Sequence, residues 1–465
     1  MFFRYYLSYL TRERFLLSFS LGLLFVFLWL FFLDGPFLYV VAERWHTSCA
    51  ILFRAFLFVQ ALTFFVIVKL FENKNFIKII NPTIKIVSIL FSVFLLGLFF
   101  GSYIFDNIFI PIFLIALCSI FFTFLFVLTL LMFFKENFVF WSVIFAISTL
   151  FATIVMFLLN KIFNNFSYLS FSSFPLLMFV LSKINFDSYF RKNFSKFDFG
   201  VFPKKIIFVF LGFYCCGGAV YNFLLNFSTN NDYFLSNIAY CISALVLPIF
   251  IYFKKLEISS LYRPSLAILI VAFFWFPLYF ENPFSLIIFS LFQIGFAIFD
   301  FYSLALILSF SIQKRYDIRV LPFGYFIITS SIFFGDLLYF FIRQIPQNFE
   351  LVSLLSYTAG IILILLFALI KADYYEPFLF FRKEKHVVTV EDSKFETIFE
   401  KKFNSFGLTP REKEIVKYIL MGRNGRYIAE IMHISENTFK THMRNIFRKC
   451  NVSNRQELID IMRKD

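Results

Sequence analysis

The end of the chain carries a basic, polar stripe of side chains that could recognise nucleic acid. Lys440, Arg444 and Arg448 are four residues apart, with Thr441 and Asn445 beside them, so on a helix they share one face. An α-helix fits the major groove of DNA, and Lys or Arg side chains there can reach guanine edges. Most basic stripes are solvated surface faces, so the stripe alone leaves both interpretations open.

Four polar side chains inside apolar segments could form a second kind of site. Asp300 lies near the middle of its segment, with Gln293 about two helical turns earlier. Arg54 and Asp336 lie at comparable depths, each about two turns from one end of its segment. An ionisable side chain in hydrocarbon costs several kcal/mol unless it is paired or faces water, so each needs an explanation.

Two interpretations of these side chains remain open. In the functional one, they line a polar cavity open to the outside, where Arg54 meets an anionic ligand or pairs with Asp336. In the structural one, the two form an ion pair, or Arg54 extends to the membrane surface. Asp300 lies too far from either membrane surface to reach it easily. For this residue the sequence favours neither a functional cavity nor simple burial over the other.

No other pattern indicates catalysis or metal binding. The six cysteines lack metal-ligand spacing, and five lie in or beside apolar segments, where cysteine behaves as a small hydrophobic residue. The sequence has four histidines, no nucleophile with a base and no phosphate-binding loop. We therefore expect neither an enzyme, a metal site nor a cofactor. The run from Cys215 to Gly218 is expected to let two helices approach closely.

Composition places most of the chain in a membrane. Hydrophobic residues make up 60% of the sequence and the mean hydropathy is +0.80, far outside the range of soluble globular proteins. Twelve apolar stretches fit bilayer-spanning helices of about 20 residues. The predicted spans are 15–33, 48–70, 84–105, 108–134, 138–159, 165–184, 205–226, 234–253, 265–280, 284–312, 320–342 and 350–370.

Basic residues between the spans test this topology independently. With the N-terminus inside, the inner connections hold 20 Lys and Arg and the outer ones three. Such an excess marks the cytoplasmic side of a membrane protein. We therefore predict a multi-pass membrane protein, in contact with membrane lipid, with both termini in the cytoplasm.

The longest inner connection, near residues 185–204, divides the spans into six and six. In this arrangement the segment resembles the major facilitator superfamily, whose two six-helix halves are joined by a cytoplasmic loop. The family's glycine- and arginine-rich motif between the second and third spans is absent, and FENKNFIKIINPTIK stands there. The resemblance implies a transporter-like helix bundle, which we expect to serve as a sensor.

The composition changes near residue 372 and divides the chain into domains. Residues 1–372 are the predicted membrane domain, 373–403 a polar and aromatic linker on the inner membrane surface, and 404–465 a C-terminal domain. The linker is too short for a phosphorylation-receiver domain. Any signal must therefore come through the membrane domain or through oligomerisation.

The C-terminal domain is predicted to form four short helices. Thr409, Pro410 and Glu412 indicate the start of the first one, since Thr and Glu at this spacing form a capping box and Pro suits the first turn. Ser435 is a suitable cap for the third. The second, third and fourth helices are predicted over 425–432, 435–449 and 453–463.

This domain resembles the LuxR-type helix-turn-helix of bacterial transcription regulators. The matching residues are LTPREKEI at 408–415, Gly422, IAE at 428–430, IS at 434–435, T-x-KTH at 438–442 and N-I-x-RK at 445–449. The resemblance implies that the second helix is the scaffold, the third the recognition helix and the fourth the dimerisation element. It further implies base contacts by Lys440, Thr441 and Arg444. Implied phosphate contacts are those of Asn437, Thr438, His442, Arg448 and Lys449.

Two departures from the family pattern concern the backbone. Gly425 begins the second helix and should weaken it by up to about 1 kcal/mol. Asn451 replaces a glycine after the recognition helix, and asparagine tolerates the left-handed conformation expected there.

The sequence thus predicts a transcription regulator, all-α in fold, bound to the bacterial cytoplasmic (inner) membrane. It would sense an unknown small molecule through the membrane domain and bind double-stranded DNA as a homodimer through its tail. The alternative is an active secondary transporter with an autoregulatory DNA-binding tail, which Asp300 and the six-plus-six layout favour and the missing motif disfavours. A third alternative is a membrane protein whose tail binds protein rather than DNA.

Overall fold

Long apolar helices make up most of the protein in the computed structural model. The chain divides into two units, residues 1–381 and 382–465, which we call the membrane unit and the C-terminal unit. In the membrane unit the structure describes residues 12–31, 36–105, 107–162, 197–225, 230–254, 256, 258–279, 285–314, 317–342 and 349–369. In the C-terminal unit it describes residues 403, 405–420, 432, 435–452, 457–458 and 461–462.

The first half of the membrane unit holds five long helices and one short one in its described residues. Each long helix is apolar over most of its surface, as a helix must be that packs on its neighbours and faces lipid. They are α1 (Arg12–Phe31), α2 (Pro36–Arg44), α3 (Cys49–Leu70), α4 (Lys74–Phe100), α5 (Phe109–Leu131) and α6 (Phe138–Ile162). The nine-residue α2 was not predicted, because a helix this short leaves no spanning hydropathy signal.

The second half contributes six further helices within the described residues. They are α7 (Lys204–Leu225), α8 (Asn230–Lys254), α9 (Ser259–Tyr279), α10 (Ser285–Gln313), α11 (Val320–Ile342) and α12 (Phe349–Leu369). Eleven of the twelve predicted spans therefore coincide with helices, and the sixth, 165–184, lies outside the described residues. Seven helices of the described chain are long and apolar enough to cross a membrane. The predicted polytopic helix bundle is confirmed.

The two halves pack first within themselves and then on each other. In the first half α1 packs on α6, and both α3 and α4 pack on α5. In the second half α7 packs on α11, and α10 lies between α8 and α9. The halves meet where α3 packs on α11 and where α6 packs on α8. A single hydrophobic cluster runs through these contacts, so the membrane unit has one core.

Glycines set the close crossing of α7 and α11. A Cβ atom at Gly218 would lie 2.5 Å from the carbonyl oxygen of Ile332. A Cβ atom at Gly335 would clash with the carbonyl oxygen of Cys215. Both obstacles are backbone atoms, which cannot move aside as a flexible side chain can. The close approach predicted for the run from Cys215 to Gly218 is confirmed.

Ion pairs at one end of the bundle join segments that the charge pattern assigns to the inner side. The Arg14 guanidinium lies 2.7 Å from a Glu136 carboxylate oxygen, linking the start of α1 to the segment before α6. Lys314 and Asp198 lie 3.4 Å apart and link the connection after α10 to the segment before α7. Each ion pair joins two segments that are both predicted to lie on the inner side, and this agrees with the predicted topology.

The C-terminal unit has a small core of its own. Its two described helices of more than one turn are α13 (Pro410–Leu420) and α14 (Glu436–Cys450). Ile415 and Ile419 of α13 and Ile446 of α14 are fully buried in one cluster. Phe403 is also fully buried there, although the sequence places it in the linker. The ordered core therefore begins before residue 404.

The other two predicted helices of this unit are described only in part. Residues 425–431 lie outside the described residues, and Met432, which follows them, is buried in the core. Within 453–463, residues 457–458 and 461–462 are helical. Leu458 and Met462 are buried, so this segment packs an apolar face on the unit.

We predict that Gly335→Ala lowers the stability of the membrane unit. The new methyl group meets a backbone carbonyl, and overpacking of this kind costs about 1–3 kcal/mol. Thermal unfolding of the purified protein in detergent, followed by tryptophan fluorescence, measures the effect. Gly97→Ala is the matched control, because a Cβ atom there would lie 3.7 Å from Leu114, an ordinary contact. Equal melting temperatures for the two variants would contradict the assigned crossing.

Candidate functional site

A carboxylate lies deep within the membrane unit. Asp300 is near the middle of α10 and accepts two hydrogen bonds from tyrosines on other helices. The Tyr214 hydroxyl on α7 donates to Oδ1 at 3.0 Å, and the Tyr240 hydroxyl on α8 donates to Oδ2 at 3.0 Å. An ionised carboxylate only accepts hydrogen bonds, and both of its oxygens receive a donor here. Three helices therefore hold one carboxylate in place.

Asp300 lines a cavity of about 260 Å³. Helices of both halves form the wall: α1, α3, α5 and α6 from the first, and α7, α8, α10 and α11 from the second. Most of the lining is aromatic or aliphatic. The polar members include Gln60, Asn237 and Gln293, each of which is buried within the bundle. A mostly apolar concavity with a few convergent polar groups is the usual form of a small-molecule site.

Gln293 belongs to this cavity, as its spacing from Asp300 suggested. Its amide nitrogen donates to the Asn237 side-chain oxygen at 3.2 Å, which links α10 to α8. The structure thus brings Gln293 and Asp300 together on one wall. Tyr214, Tyr240 and Asn237 were not predicted, because they lie on other helices and tyrosine is common throughout this sequence.

Arg54 and Asp336 form the ion pair that both interpretations allowed. The Arg54 Nε atom lies 2.7 Å from Asp336 Oδ2, and the guanidinium lies 4.3 Å from the centre of the Phe340 ring. The side chains are 16% and 3% exposed, so the pair is largely buried. Neither residue lines the cavity around Asp300. The pair ties α3 to α11 where the two halves meet, and this favours the structural interpretation.

A second charged cluster, not singled out in the sequence, lies near the first residues of α11. Arg319 is 2% exposed and donates to Asp317 at 2.8 Å, and its guanidinium lies 3.9 Å from Glu72. Glu72 also accepts from the backbone N–H of Phe197 at 3.3 Å. The cluster joins the connection after α3, the segment before α7 and the start of α11. Glu72 lies in the connection between α3 and α4, where the glycine- and arginine-rich motif is absent. In this protein the contact of Glu72 with Arg319 links that connection to the second half.

The helix α14 presents the polar stripe in the C-terminal unit. The Ser435 side chain accepts from the Thr438 N–H at 3.0 Å and caps the helix start, as predicted. At the other end Asn451 adopts the left-handed conformation with φ 52° and ψ 49°, also as predicted. The Val452 N–H donates to the Phe447 carbonyl at 3.0 Å and closes the helix end.

The two faces of α14 differ as the stripe requires. Ile446 and Cys450 are buried in the core, and Phe439 is half-buried against it. Six of the eight predicted DNA-contacting side chains are exposed, and His442 and Lys449 are half-buried; the exposed ones are Asn437, Thr438, Lys440, Thr441, Arg444 and Arg448. The exposed face is therefore available for a polar partner along its whole length.

Lys449 has a partner inside the C-terminal unit. Its ammonium donates to Glu412 Oε2 at 2.7 Å and to the Gly407 carbonyl at 3.0 Å. Glu412 also accepts from the Thr409 N–H at 2.9 Å and returns its own N–H to Thr409 Oγ1 at 3.3 Å, which is the predicted capping box. A phosphate contact by Lys449 stays a prediction, and it would have to share an ammonium that already joins α14 to α13.

The same contacts set the titration of Glu412. Burial by itself raises the pKa of its carboxyl, but the hydrogen bonds from Lys449 and Thr409 lower it more, so this pKa lies below its ordinary value. Burial raises the pKa of the neighbouring Cys450 thiol to about 11, so that it remains a neutral core residue at pH 7.

Comparison with known proteins confirms the resemblance of the C-terminal segment. Residues 407–462 match the family described as bacterial regulatory proteins, luxR family. The CsgBAC operon transcriptional regulatory protein of Escherichia coli (strain K12) is 46% identical over 52 residues, 11% of this chain and 24% of that protein. The monoamine regulon transcriptional regulator of Klebsiella aerogenes is 48% identical over 52 residues, 11% and 23% of the two chains. The chain thus spans about a quarter of the length of these curated relatives.

Solved structures resemble the membrane unit in fold. The human organic anion transporter MFSD10 (TETRAN) has a TM-score of 0.54 and 12% identity, covering 77% of this chain and 98% of that one. The nucleoside transporter NupG has a TM-score of 0.53 and 16% identity, covering 77% and 99%. At such identities the likeness concerns the fold alone. The fold of the membrane unit is similar to that of these transporters, in agreement with the resemblance that the six-plus-six layout suggested.

We predict that Glu412→Gln loosens the C-terminal unit. The variant leaves the Lys449 ammonium without its buried charged partner, at a cost of about 1–3 kcal/mol. Hydrogen exchange of α13 and α14 amides in the full chain, read by mass spectrometry, should become faster. Glu414→Gln is the control: its pair with Arg411 has side chains 47% and 43% exposed, so its loss should change stability by less than about 0.5 kcal/mol.

The effect of Glu412 should depend on pH. The pKa of Glu412 is lower in the folded protein than in the unfolded chain, so the ionised carboxylate stabilises the folded C-terminal unit. This stabilisation is complete above the ordinary pKa of the carboxyl and is lost as the pH falls through the lower folded pKa. The difference in exchange between the wild type and Glu412→Gln should therefore be full at neutral pH and shrink in acid. If the difference in exchange between the two proteins grew in acid, the stabilising role of the Glu412–Lys449 pair would be contradicted.

Proposed function

We propose that this chain is a membrane-bound bacterial transcription regulator. In this proposal the C-terminal unit binds double-stranded DNA, and the membrane unit senses a small molecule. The observation that carries it is the exposed polar face of α14, a helix capped at both ends within a segment that matches the luxR family. The match covers the DNA-binding segment and not the whole of the relatives, so the regulatory role of the full chain is our inference.

Three side chains near the middle of α14 would read base edges in the major groove. Lys440 and Arg444 are one turn apart and exposed, and Thr441 lies between them on the same face. The Thr441 hydroxyl donates to the Asn437 carbonyl at 3.0 Å, which fixes its orientation while leaving it free to accept. A guanidinium offers two parallel donors to a guanine edge, so Arg444 would contribute most to sequence preference.

Side chains at the two ends of the same face would hold the DNA backbone. Asn437 and Thr438 lie at the start of α14, where backbone N–H groups favour an anion. Arg448 lies one turn after Arg444, and His442 lies one turn after Thr438. Such contacts position the protein on DNA without reading sequence. The segment 453–463 would pair two copies, since bacterial operators recognised by a helix-turn-helix often have half-sites that match a dimer.

The membrane unit would keep this DNA-binding unit at the inner surface of the cytoplasmic membrane. The excess of basic residues on one side supports a cytoplasmic tail, and the helix bundle supports a multi-pass protein. The two halves of the bundle share one cavity, so a ligand there would contact both of them. Ligand binding would then change how the halves pack, and through the linker would change the pairing or exposure of the tails.

A second function is favoured by the same cavity. A central carboxylate at the junction of the two halves suits a secondary transporter, with the C-terminal unit controlling expression of its own gene. Accumulation of a bound ligand by sealed vesicles distinguishes the two functions. If the protein is a transporter, vesicles that carry it without the C-terminal unit accumulate the ligand, and vesicles with the Asp300→Asn variant do not. If it is a sensor, the ligand binds but does not accumulate.

We predict that Arg444→Ala reduces the sequence preference of DNA binding. Loss of a bidentate base contact costs about 1–3 kcal/mol and relaxes selection at one base pair. The target sequence is first selected from random duplexes with the full-length protein in nanodiscs. Fluorescence anisotropy then compares that duplex with a scrambled one.

Arg448→Ala is the matched control, since it is also an exposed arginine on α14. It should weaken binding to both duplexes equally and reduce the dependence of affinity on salt by about one phosphate contact. Unchanged preference in Arg444→Ala, or a selective loss in Arg448→Ala, would contradict the assigned orientation of the recognition helix.

A further inference from the structure

We propose that the cavity around Asp300 binds a small organic cation, carrying a protonated amine or a quaternary ammonium group. The inference rests on the proposed function, in which the membrane unit has a ligand, and it names the chemical class of that ligand. Three independent features of the cavity support it: its charge, the hydrogen bonds of its carboxylate and its aromatic wall.

The charge of the cavity excludes anions and favours cations. Among the described residues that line it, Asp300 is the single acidic or basic side chain. Arg54, the cation that the sequence offered for an anionic ligand, pairs instead with Asp336 outside this lining. A carboxylate without a counter-ion in an apolar interior attracts a cation strongly, because the surroundings screen its field poorly.

The Asp300 carboxylate can still accept a hydrogen bond from a ligand. An ionised carboxylate has about four lone-pair sites, and the hydroxyls of Tyr214 and Tyr240 occupy one on each oxygen. Although it lies deep within the bundle, Asp300 retains accessible surface, and that surface belongs to the cavity wall. The two tyrosines therefore fix the carboxylate in position and leave part of it open to a ligand N–H group.

Aromatic rings stand next to the carboxylate. Tyr240 donates to Asp300 and also contacts the indole of Trp29 edge-on, with ring centres 5.7 Å apart. Phe25 stacks on Trp29 at 6.5 Å, and Phe145 lies 6.4 Å from Tyr240. All four rings line the cavity. The faces of such rings attract cations, and a carboxylate beside an aromatic cage is suited to an ammonium group.

The size of the cavity restricts the ligand to a small molecule. Its volume of about 260 Å³ lies just below the range of roughly 300–1,000 Å³ typical of drug-sized ligands. Gly217 and Gly218 form part of the wall. Asn237 and Gln293 offer polar atoms on the same wall for a hydroxyl or amide substituent of the ligand.

The test compares cations with neutral molecules of the same shape. Isothermal titration calorimetry on the full-length protein in nanodiscs at neutral pH uses two pairs: choline with 3,3-dimethyl-1-butanol, and 2-phenylethylammonium with 2-phenylethanol. We expect at least one cation to bind, and its neutral partner to bind at least about tenfold more weakly. Absence of binding by both cations, or equal binding within each pair, would overturn the proposal.

Two variants assign the preference to the carboxylate. Asp300→Asn should weaken binding of the cation by about 30-fold or more and remove the preference over the neutral partner. Tyr240→Phe keeps the ring and the carboxylate but loses one hydroxyl, so the preference should remain while affinity falls about two- to tenfold. Asp198→Asn, an exposed carboxylate outside the cavity, is the matched control and should bind as the wild type does.

The outcomes separate this inference from the proposed function. If Asp300→Asn keeps the preference for the cation, the cation site is overturned. If Asp300→Asn does not fold, unchanged cation affinity in Tyr240→Phe overturns it instead. Neither result involves DNA. Cation binding that leaves DNA binding of the full-length protein unchanged at every ligand concentration would retain the site and reject the sensory role.

Discussion

Hydrocarbon offers no hydrogen bonds, and every polar group of the membrane unit must therefore find its partner within the protein. The backbone meets this constraint by forming helices over most of the described membrane unit. Side chains meet it between helices: Ser119 donates to the Phe56 carbonyl at 2.8 Å, and Ser148 donates to the Ser18 carbonyl at 2.9 Å. The same constraint explains why Arg54 pairs with Asp336 across the two halves. A polar group that keeps unused capacity in these surroundings is a candidate for function, and Asp300 is such a group.

The C-terminal unit works under the opposite condition, because water satisfies its polar groups and its core is small. It is stabilised by tight local devices: caps at both ends of α14 and the Glu412–Lys449 pair that joins α14 to α13. These devices use one side of α14 and leave the polar side exposed. The three predicted base-contacting side chains, Lys440, Thr441 and Arg444, thus lie apart from the Glu412–Lys449 pair, whereas Lys449 is both a predicted phosphate contact and a stabilising residue.

Much of this organisation could be predicted from residue patterns. Long apolar runs predicted eleven described helices, since spanning a membrane requires both length and hydropathy. The turn after α14 was predictable because Asn451 is one of the few non-glycine residues that adopt a left-handed backbone easily. Asp300 and Gln293 could be singled out because polar residues in such runs are costly.

The partners of these residues could not be predicted. Tyr214 and Tyr240 lie 86 and 60 residues from Asp300 in the sequence, and nothing distinguishes them from the other tyrosines until helices pack. Arg319 and Glu72 looked like ordinary loop charges, yet the fold brings them together in a buried cluster. Lys449 fitted a phosphate contact by its place in the motif, and only the folded unit shows its bond to Glu412. In each case, long-range packing decides the role of a side chain that local sequence leaves open.

The central claim is that one chain binds DNA while it remains in the membrane, with its tail on the cytoplasmic face. Binding of the selected DNA duplex to sealed vesicles carrying the intact chain tests this most directly, with inside-out and right-side-out vesicles compared. Our account predicts binding to inside-out vesicles and none to sealed right-side-out vesicles, with the chain intact and membrane-bound afterwards. Binding to right-side-out vesicles, or binding that appears only after the tail is cleaved from the membrane, would contradict it.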